Sequence, residues 1–451
     1  MKIIIVGTGK VGSILVEQLS SENHDIVVID TNADALKQIT ERYDVMGIIG
    51  NGATVEVQRE AGMDKTDLLI ATTNLDECNL LACLVARNLG ARHTIARVRN
   101  PEYASQMAYL KNDLGISMTI NPELEASAEI SRVLRYPSAL KINPFARGRV
   151  EMVEIKIQDD SPIAGMTLFQ LRNKYQLKIL VCAVARGDEL YVPGGSFVLQ
   201  EGDRITLIGT PADVDTFFGK IGIVKAKIKS VMIVGAGKIG YYLTRQLLSM
   251  KIAVKIIDQD PVRCRELCEL LPDATVICGN GSDQELLTAE GLHSTDSFVA
   301  LTGLDEENMI ISVCANTVGV KKVIAKVNNI SLAPVLNQLG LDTVISPKRL
   351  TADRIVKYAR CMQNYEDSKI ETLHKLLDGK AEAVEFHVSG EADIGGKPLK
   401  EFKFKPQILI ACIVRQGTTI IADGNTVIQK GDNVIVISGM EALNNIEEIL
   451  L

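Results

Sequence analysis

No apolar run in this 451-residue chain approaches the roughly 18 residues needed to cross a bilayer. The longest candidates, such as the stretch ILIACIV at 408–414, are strand-sized. The chain can therefore bind a membrane protein but is not expected to span a membrane itself. Its N-terminus already reads as a strand, so a cleaved signal peptide is not expected. An excess of positive charge is also missing: 49 Lys and Arg stand against 56 Asp and Glu, a net −7, so nothing advertises nucleic acid as a partner. The nine cysteines sit mostly inside apolar segments, as Cys83, Cys182 and Cys412 do, which fits reduced core residues of a cytosolic protein. Cys264 and Cys268 lie one helical turn apart, but no His or second Cys pair stands at zinc-site spacing, so no metal is expected. What remains, 46% hydrophobic and 23% charged residues, is the profile of a folded soluble protein, and the length suggests about three domains.

The chain is written twice. IIVGTGKVG (4–12) returns as MIVGAGKIG (232–240), and Asp30 returns as Asp258. GNGA (50–53) returns as GNGS (279–282), DLLIATTNLDECN (67–79) as DSFVALTGLDEEN (296–308), and IARV (95–98) as IAKV (324–327). Near the end of each half, VLQEGDRITLIG (198–209) matches VIQKGDNVIVIS (427–438). Order and spacing are kept, which is the signature of a duplicated module. In each module, short Ile/Val-rich runs alternate with helical stretches, the pattern of a parallel sheet buried on both faces. Strands are expected at 2–7, 25–30, 45–50, 67–72 and 93–98, and at 230–235, 253–258, 275–279, 297–302 and 322–327. A helix follows each sheet (about 122–136 and 347–362), opened by Asn121-Pro122 and Ser346-Pro347 as N-cap and first-turn proline. These helices are candidate dimerisation or crossover elements. A small α+β lobe with Gly-Asp turns then closes each module.

The fold class is thus α/β: two Rossmann-like parallel-sheet domains, each followed by a small α+β lobe. The expected division is 1–122, a nucleotide-binding lobe; 123–141, a linker helix; 142–224, a small lobe; 229–348, a second nucleotide-binding lobe; 349–381, a linker helix; and 382–451, a second small lobe. A junction around 223–229 joins the halves.

Each Gly-x-Gly-x-x-Gly follows an apolar strand, opens a helix and precedes an acid at the end of the next strand. Gly7 and Gly235 permit the tight turn. Gly9 and Gly237 let backbone approach phosphate, and Gly12 and Gly240 let helix and strand pack closely. The helix N-terminus then offers free N–H groups to phosphate, so Thr8, Lys10 and Val11, and Ala236, Lys238 and Ile239, join the candidate sites. Lys10 and Lys238 face phosphate, a neighbouring subunit or solvent. Asp30 and Asp258 can accept hydrogen bonds from ribose hydroxyls, which disfavours NADP but does not separate NAD from ATP or ADP. Asn51 and Asn280 lie in the repeated GNG turns. Thr73-Asn74 and Thr302-Gly303 can line the crevice. Asp76-Glu77 and Asp305-Glu306, just after them, are read as acids favoured at a helix start, with a general-base pair as the alternative. The halves diverge at Arg97-Val98-Arg99 and Lys326-Val327-Asn328. Alternate strand residues share a face, so the first site can offer two guanidinium groups and the second one ammonium. Different nucleotide preferences are expected.

On these motifs, namely VGTGKVG, Asp30, GNGA, ATTNLDECN, ARVRNPEY (96–103) and LQEGDRITLIG, the whole chain resembles the NAD-binding cytoplasmic subunits of Trk potassium-uptake systems, built from tandem RCK (KTN) domains. The resemblance implies a peripheral subunit on the inner face of the cell membrane. It implies a homo-oligomeric ring, dimer or tetramer, under a membrane-embedded potassium-translocating partner, with NAD(H) and ATP/ADP as ligands. Carried over, the first site uses Gly7–Val11, Asp30, Thr73-Asn74 and Arg97, and the second Gly235–Ile239, Asp258, Thr302-Gly303 and Lys326. The rival reading is an NAD-dependent oxidoreductase, which needs a placed proton donor or acceptor. None of the five histidines (His24, His93, His293, His374, His387) recurs in the other half, and no separate substrate domain is left over. An ATP hydrolase lacks its Walker Gly-Lys-Ser/Thr. No catalytic residue is therefore expected.

Overall fold

The computed structural model describes the chain apart from residues 23, 112, 137–138, 159–160, 177, 223–227, 330–335, 337–338, 342, 363–367, 390–393 and 440–441. Most of the expected junction at 223–229 lies outside the described residues. In the first half, β1 (Lys2–Val6), β2 (Asp25–Asp30), β3 (Met46–Ile49), β4 (Leu68–Ala71), β5 (His93–Arg97) and β6 (Met118–Ile120) form one sheet in the order β3-β2-β1-β4-β5-β6. Neighbouring pairs are parallel, with Ile3 opposite Ile26 on one side and Leu68 on the other. Because successive side chains alternate faces, Ile3 and Ile5 enter one core and Ile4 and Val6 another. That two-sided burial is why the run is apolar throughout.

A small antiparallel sheet follows: β7 (Ala139–Phe145), β8 (Val150–Lys156), β9 (Leu180–Arg186), β10 (Glu189–Tyr191) and β11 (Arg204–Gly209), ordered β10-β9-β11-β8-β7. The second half repeats both layers. Its parallel sheet holds β12 (Ser230–Val234), β13 (Ala253–Asp258), β14 (Thr275–Cys278), β15 (Ser297–Ala300), β16 (Lys322–Lys326) and β17 (Val344–Ile345), ordered β14-β13-β12-β15-β16-β17. Its antiparallel sheet holds β18 (Ser368–Leu376), β19 (Ala381–Val388), β20 (Ile408–Arg415), β21 (Thr418–Ile421) and β22 (Asn433–Ser438), ordered β18-β19-β22-β20-β21. Two tandem α/β units, each followed by a smaller antiparallel lobe, are the expected architecture. The sixth strands β6 and β17 were not anticipated: at three and two residues they are too short to show a period.

The helix after each sheet does not pack on its own lobe alone. Ala126, Ile130, Val133 and Leu134 of the first (Pro122–Arg135) join the core of the second parallel sheet. Ala352, Ile355, Val356 and Ala359 of the second (Pro347–Cys361) join the core of the first. Each large apolar side chain buried this way contributes roughly 1.5–3 kcal/mol, so the exchange ties the lobes firmly. Polar contacts reinforce it: Gln246 donates to Ser127 (3.1 Å), and Gln18 donates to Asp353 (3.1 Å). Asn121 caps its helix as expected, accepting from Leu124 N–H (2.9 Å). Ser346 does not. Its hydroxyl is buried without a partner among the described residues, and Pro347 alone sets that helix start.

The small lobes meet sheet to sheet, with Met152, Cys182, Ala183 and Ile208 against Ala383, Ala411, Cys412 and Ile437. The small residues let the two sheets approach closely. In each lobe a Gly-Asp turn holds a fully buried acid: Asp203 is clamped by Arg186 and Asp432 by Arg415, each through two bonds of 2.8–2.9 Å. These turns are structural staples.

Candidate nucleotide clefts

Both clefts lie at the carboxyl ends of the parallel strands, between the central strand and its two neighbours, where an open α/β sheet leaves a crevice. Gly7 (φ +99°) and Gly235 (φ +103°) adopt left-handed backbone, and a methyl group on Gly7 would stand 2.9 Å from Thr73 N. On Gly12 it would stand 1.9 Å from Gly7 O. On Gly9 and Gly237 it would meet nothing within 4 Å. Two glycines of each loop are thus required by protein packing, while the middle one faces open space. That is the shape a phosphate needs beside the helices Lys10–Ser20 and Lys238–Ser249, so the residues fit a nucleotide diphosphate.

Asp30 reaches back to the loop. Its Oδ2 accepts from Thr8 N and Thr8 Oγ1, both at 2.6 Å, and its Oδ1 from Asn32 N at 2.8 Å. Burial pushes its carboxyl up, but the hydrogen bonds from Thr8, Asn32 and Thr31 outweigh this and hold it below the ordinary range. Asp258 accepts from Ala236 N (2.7 Å) and Asp260 N (3.0 Å), with no hydroxyl contribution because Ala236 replaces Thr8. Two carboxylate oxygens carry about four acceptor sites, so Asp258 keeps more capacity for ribose hydroxyls than Asp30 does.

Val11 and Ile239 are buried in the cores. Their side chains face away from the crevice, so only their backbone N–H groups are available to a ligand. Lys10 and Lys238 are exposed at the first turn of their helices. Asn51 and Asn280 shape the GNG turns, accepting from Ala53 N and Ser282 N at 3.0 Å each. The following Gly52 and Gly281 are dictated by close approach: a methyl there would come 2.3 Å from Val6 and 2.1 Å from Val234.

The crevice wall is stapled by a residue that the sequence reading passed over. Fully buried Asn79 accepts from Thr73 N (2.8 Å) and donates to Arg97 O (2.9 Å). Asn308 does the same for Thr302 N (2.7 Å) and Lys326 O (3.0 Å). Both end the repeated segment that began DLLIATT or DSFVALT, so the repeat itself was the available signal. Asp76 and Asp305 stand in the first turn of their helices, as expected of acids there, and have a second task. Asp76 Oδ2 accepts from Arg99 N (2.8 Å) and Asn100 N (2.7 Å), and Asp305 Oδ2 from Asn328 N (2.8 Å) and Asn329 N (2.9 Å). They pin the chain where it leaves β5 and β16. Glu77 accepts from Tyr103 OH (2.8 Å) instead.

Arg97 and Arg99 converge on the Thr73-Asn74 loop. Arg97 donates to Thr73 O and lies 3.5 Å from Asn74 Oδ1, and Arg99 donates to Asn74 O (3.4 Å) and pairs with Glu123 (3.6 Å). Arg99 lies past the end of β5, so the loop and not strand alternation brings the two together. Burial, then Arg99, lowers the Arg97 pKa, against Glu123 and Asp76. Lys326 donates to Thr302 O. Burial pushes its ammonium down, Asp305 and Glu123 oppose this, and Lys10 adds to it. Lys10 also acts on Lys348, which takes the place of Glu123 at the start of the second exchanged helix. Glu123 and Lys10 of the first half therefore both act on Lys326, and the two clefts share an electrostatic boundary.

None of the five histidines stands at these carboxyl ends. His24 and His93 lie at the starts of β2 and β5, His293 before β15, and His374 and His387 in β18 and β19. No group of three or more His, Cys, Asp or Glu able to hold a metal occurs among the described residues. No helix among them is long and apolar enough to cross a membrane.

The TrkA-N domain family matches residues 3–122 and 231–347, and the TrkA-C domain family matches 152–222 and 384–451. The chain is 31% identical over 460 residues to the Trk system potassium uptake protein TrkA homolog 2 of Methanosarcina mazei, covering 100% of both. It is 32% identical over 457 residues to the Trk system potassium uptake protein TrkA of Vibrio alginolyticus, covering 98% of both. Among solved structures, it resembles the GsuK RCK domain with a TM-score of 0.64 at 20% identity, over 97% of this chain and 92% of that one. The GsuK channel bound to NAD gives 0.64 at 19% identity, over 97% and 77%. At these identities the structural likeness is one of fold.

Proposed function

Because the chain belongs to the TrkA family, we propose that it is a nucleotide-sensing regulatory subunit, not an enzyme, that gates potassium uptake through a membrane-embedded Trk-type partner. It binds NAD(H) and ATP or ADP in the two clefts, works at the inner face of the cell membrane, and assembles with further copies of itself into a ring. Relatives named for Trk potassium uptake along the full chain support the potassium role. The fold shared with a channel described as bound to NAD supports the ligand class.

One observation carries the sensing part: each parallel lobe buries the helix that follows the other lobe. A ligand that shifts the loop, crevice wall or exchanged helix of one cleft acts on packing the other lobe depends on. Ligands with different affinities for two arrangements then shift their populations. The glycine loops and Asp30 or Asp258 hold diphosphate and ribose, while Arg97, Arg99 and Lys326 supply positive charge at the far wall. No histidine stands at either crevice to move a proton to or from a substrate carbon. The test is potassium flux through the reconstituted partner with saturating ATP, ADP or NADH. Flux that differs between ligands supports the reading, and flux indifferent to all three rejects it.

A further inference from the structure

The two clefts differ by a carboxylate that the repeat does not duplicate. The second cleft, about 240 Å³, is lined by Asp258, Asn280, Thr302, Leu304 and Glu307. Glu307 lies in the first turn of the helix Asp305–Thr317, and its Oε1 accepts from Ser282 Oγ. Ser282 is itself fixed by the Asn280 turn, donating its N–H to Asn280 Oδ1 (3.0 Å). The carboxylate is thus held from two elements, the turn after β14 and the helix after β15. In the first half, Ala53 stands where Ser282 does and Cys78 where Glu307 does, so neither the holder nor the acid is present. The basic side differs the opposite way: Arg97 and Arg99 in the first cleft become Lys326 and Asn328 in the second. At the positions where the halves differ, the first half carries two guanidinium groups and no added acid, whereas the second carries one ammonium and the added carboxylate of Glu307.

We propose that Glu307 makes the second cleft selective for NAD(H) over ATP, leaving polyphosphates to the first. This rests on the reading of both clefts as nucleotide sites. ATP ends in an unesterified, highly charged phosphate. The diphosphate of NAD(H) is esterified at both ends and carries less charge. A carboxylate beside the ligand repels the former, and it accepts hydrogen bonds from uncharged donors, the ribose hydroxyls or an exocyclic amine, that both ligands carry. Selectivity therefore comes from what the second cleft rejects.

The test uses the full chain with the first cleft weakened by Asp30→Ala, so that the change in a calorimetric titration of ATP and NADH on altering Glu307 reports the second. Glu307→Gln keeps the shape and the hydrogen bond while removing the charge. It should improve ATP affinity relative to NADH by roughly fivefold, with the gain shrinking as salt rises. The mirror variant, Ala53→Ser with Cys78→Glu in an Asp258→Ala chain, installs both holder and acid and should weaken ATP at the first cleft by a similar factor. An ATP-to-NADH affinity ratio unchanged by Glu307→Gln, with both ligands still bound, overturns the inference. Failure of the Asp30→Ala chain to bind either nucleotide while Glu307 is intact overturns the site reading beneath it, which is a separate and distinguishable result.

Discussion

The first and second halves share a fold and differ in how firmly each holds its partner and what each cleft presents. In the second half, Arg360 is almost fully buried, its side chain 4% exposed, and pairs with both Glu22 of the opposite parallel lobe and Glu382 of its own small lobe. Its counterpart Arg135 is 47% exposed and pairs with Glu151, because Met250 stands where Glu22 does in the other half. Duplication supplied the scaffold, and later divergence made one exchanged helix a buried ionic clamp and left the other a largely apolar contact. A pseudo-symmetric pair in which one seam is stronger than the other has a preferred place to yield.

The largest expected effect breaks that comparison. Arg360→Ala strands two acids at a buried seam and should cost about 3–5 kcal/mol, read as a fall in the midpoint of urea unfolding. Arg135→Ala should cost less, about 1–3 kcal/mol, because Arg135 is itself half exposed and leaves one buried acid, Glu151, unpaired where Arg360 leaves two. Equal losses would show that the two seams are energetically alike despite their geometry.

Next in size is the loss of each cleft's acid. Asp30→Ala and Asp258→Ala should each reduce nucleotide affinity in their own half by about tenfold to a hundredfold, the range for deleting one or two charge-assisted hydrogen bonds. Asp30→Ala should carry the larger stability penalty of the two, since Asp30 holds the glycine loop through both the N–H and the hydroxyl of Thr8. Titration calorimetry separates the binding effect, and thermal unfolding of the ligand-free variants separates the loop effect.

Smaller, and aimed at the difference in charge, is the exchange of Arg97→Lys with Lys326→Arg. Arg can meet phosphate with a fork and Lys only as a point charge. The swap should move the ATP-to-NADH preference of each cleft a few-fold toward that of the other. It should not be complete, because Arg99 and Glu307 stay where they are.

Much of this was legible in the sequence because repetition turned weak signals into strong ones. Strands such as Ala253–Asp258 fall where the Ile/Val runs placed them, and the glycine loops identified themselves by position between strand and helix. Three things were less legible, each for a physical reason. The exchange of helices depends on which lobe covers which face, and an amphipathic stripe does not name its partner. The tasks of Asn79 and Asp76 are long-range hydrogen bonds to residues about 20 positions away, invisible to any local period. Glu307 sits within a matched segment at a position where the halves differ, and a repeat displays what it keeps, not what one copy alone carries.

The last comparison concerns pH and again pits one half against the other. His374 in β18 occupies the register position that Asn143 holds in β7, with Ala383 opposite the one and Met152 opposite the other. Burial, followed by the positive charges of Lys357 and Lys141, pushes its imidazole well below the ordinary range, against a hydrogen bond at Pro144 O (3.2 Å). The folded chain therefore keeps His374 neutral while the unfolded chain takes up a proton below about pH 6.5. Since unfolding then binds a proton, stability is full above that pH and is lost as pH falls from 6.5 toward the lower folded value, with a slope of at most about 1.4 kcal/mol per unit. His374→Asn installs the residue of the other half and removes the titration. The difference in unfolding free energy between the variant and the parent should change with pH between about 6.5 and 5 and be constant above about 7.5. A difference that stays flat across the whole range would mean that the imidazole ionises alike in the folded and unfolded chains.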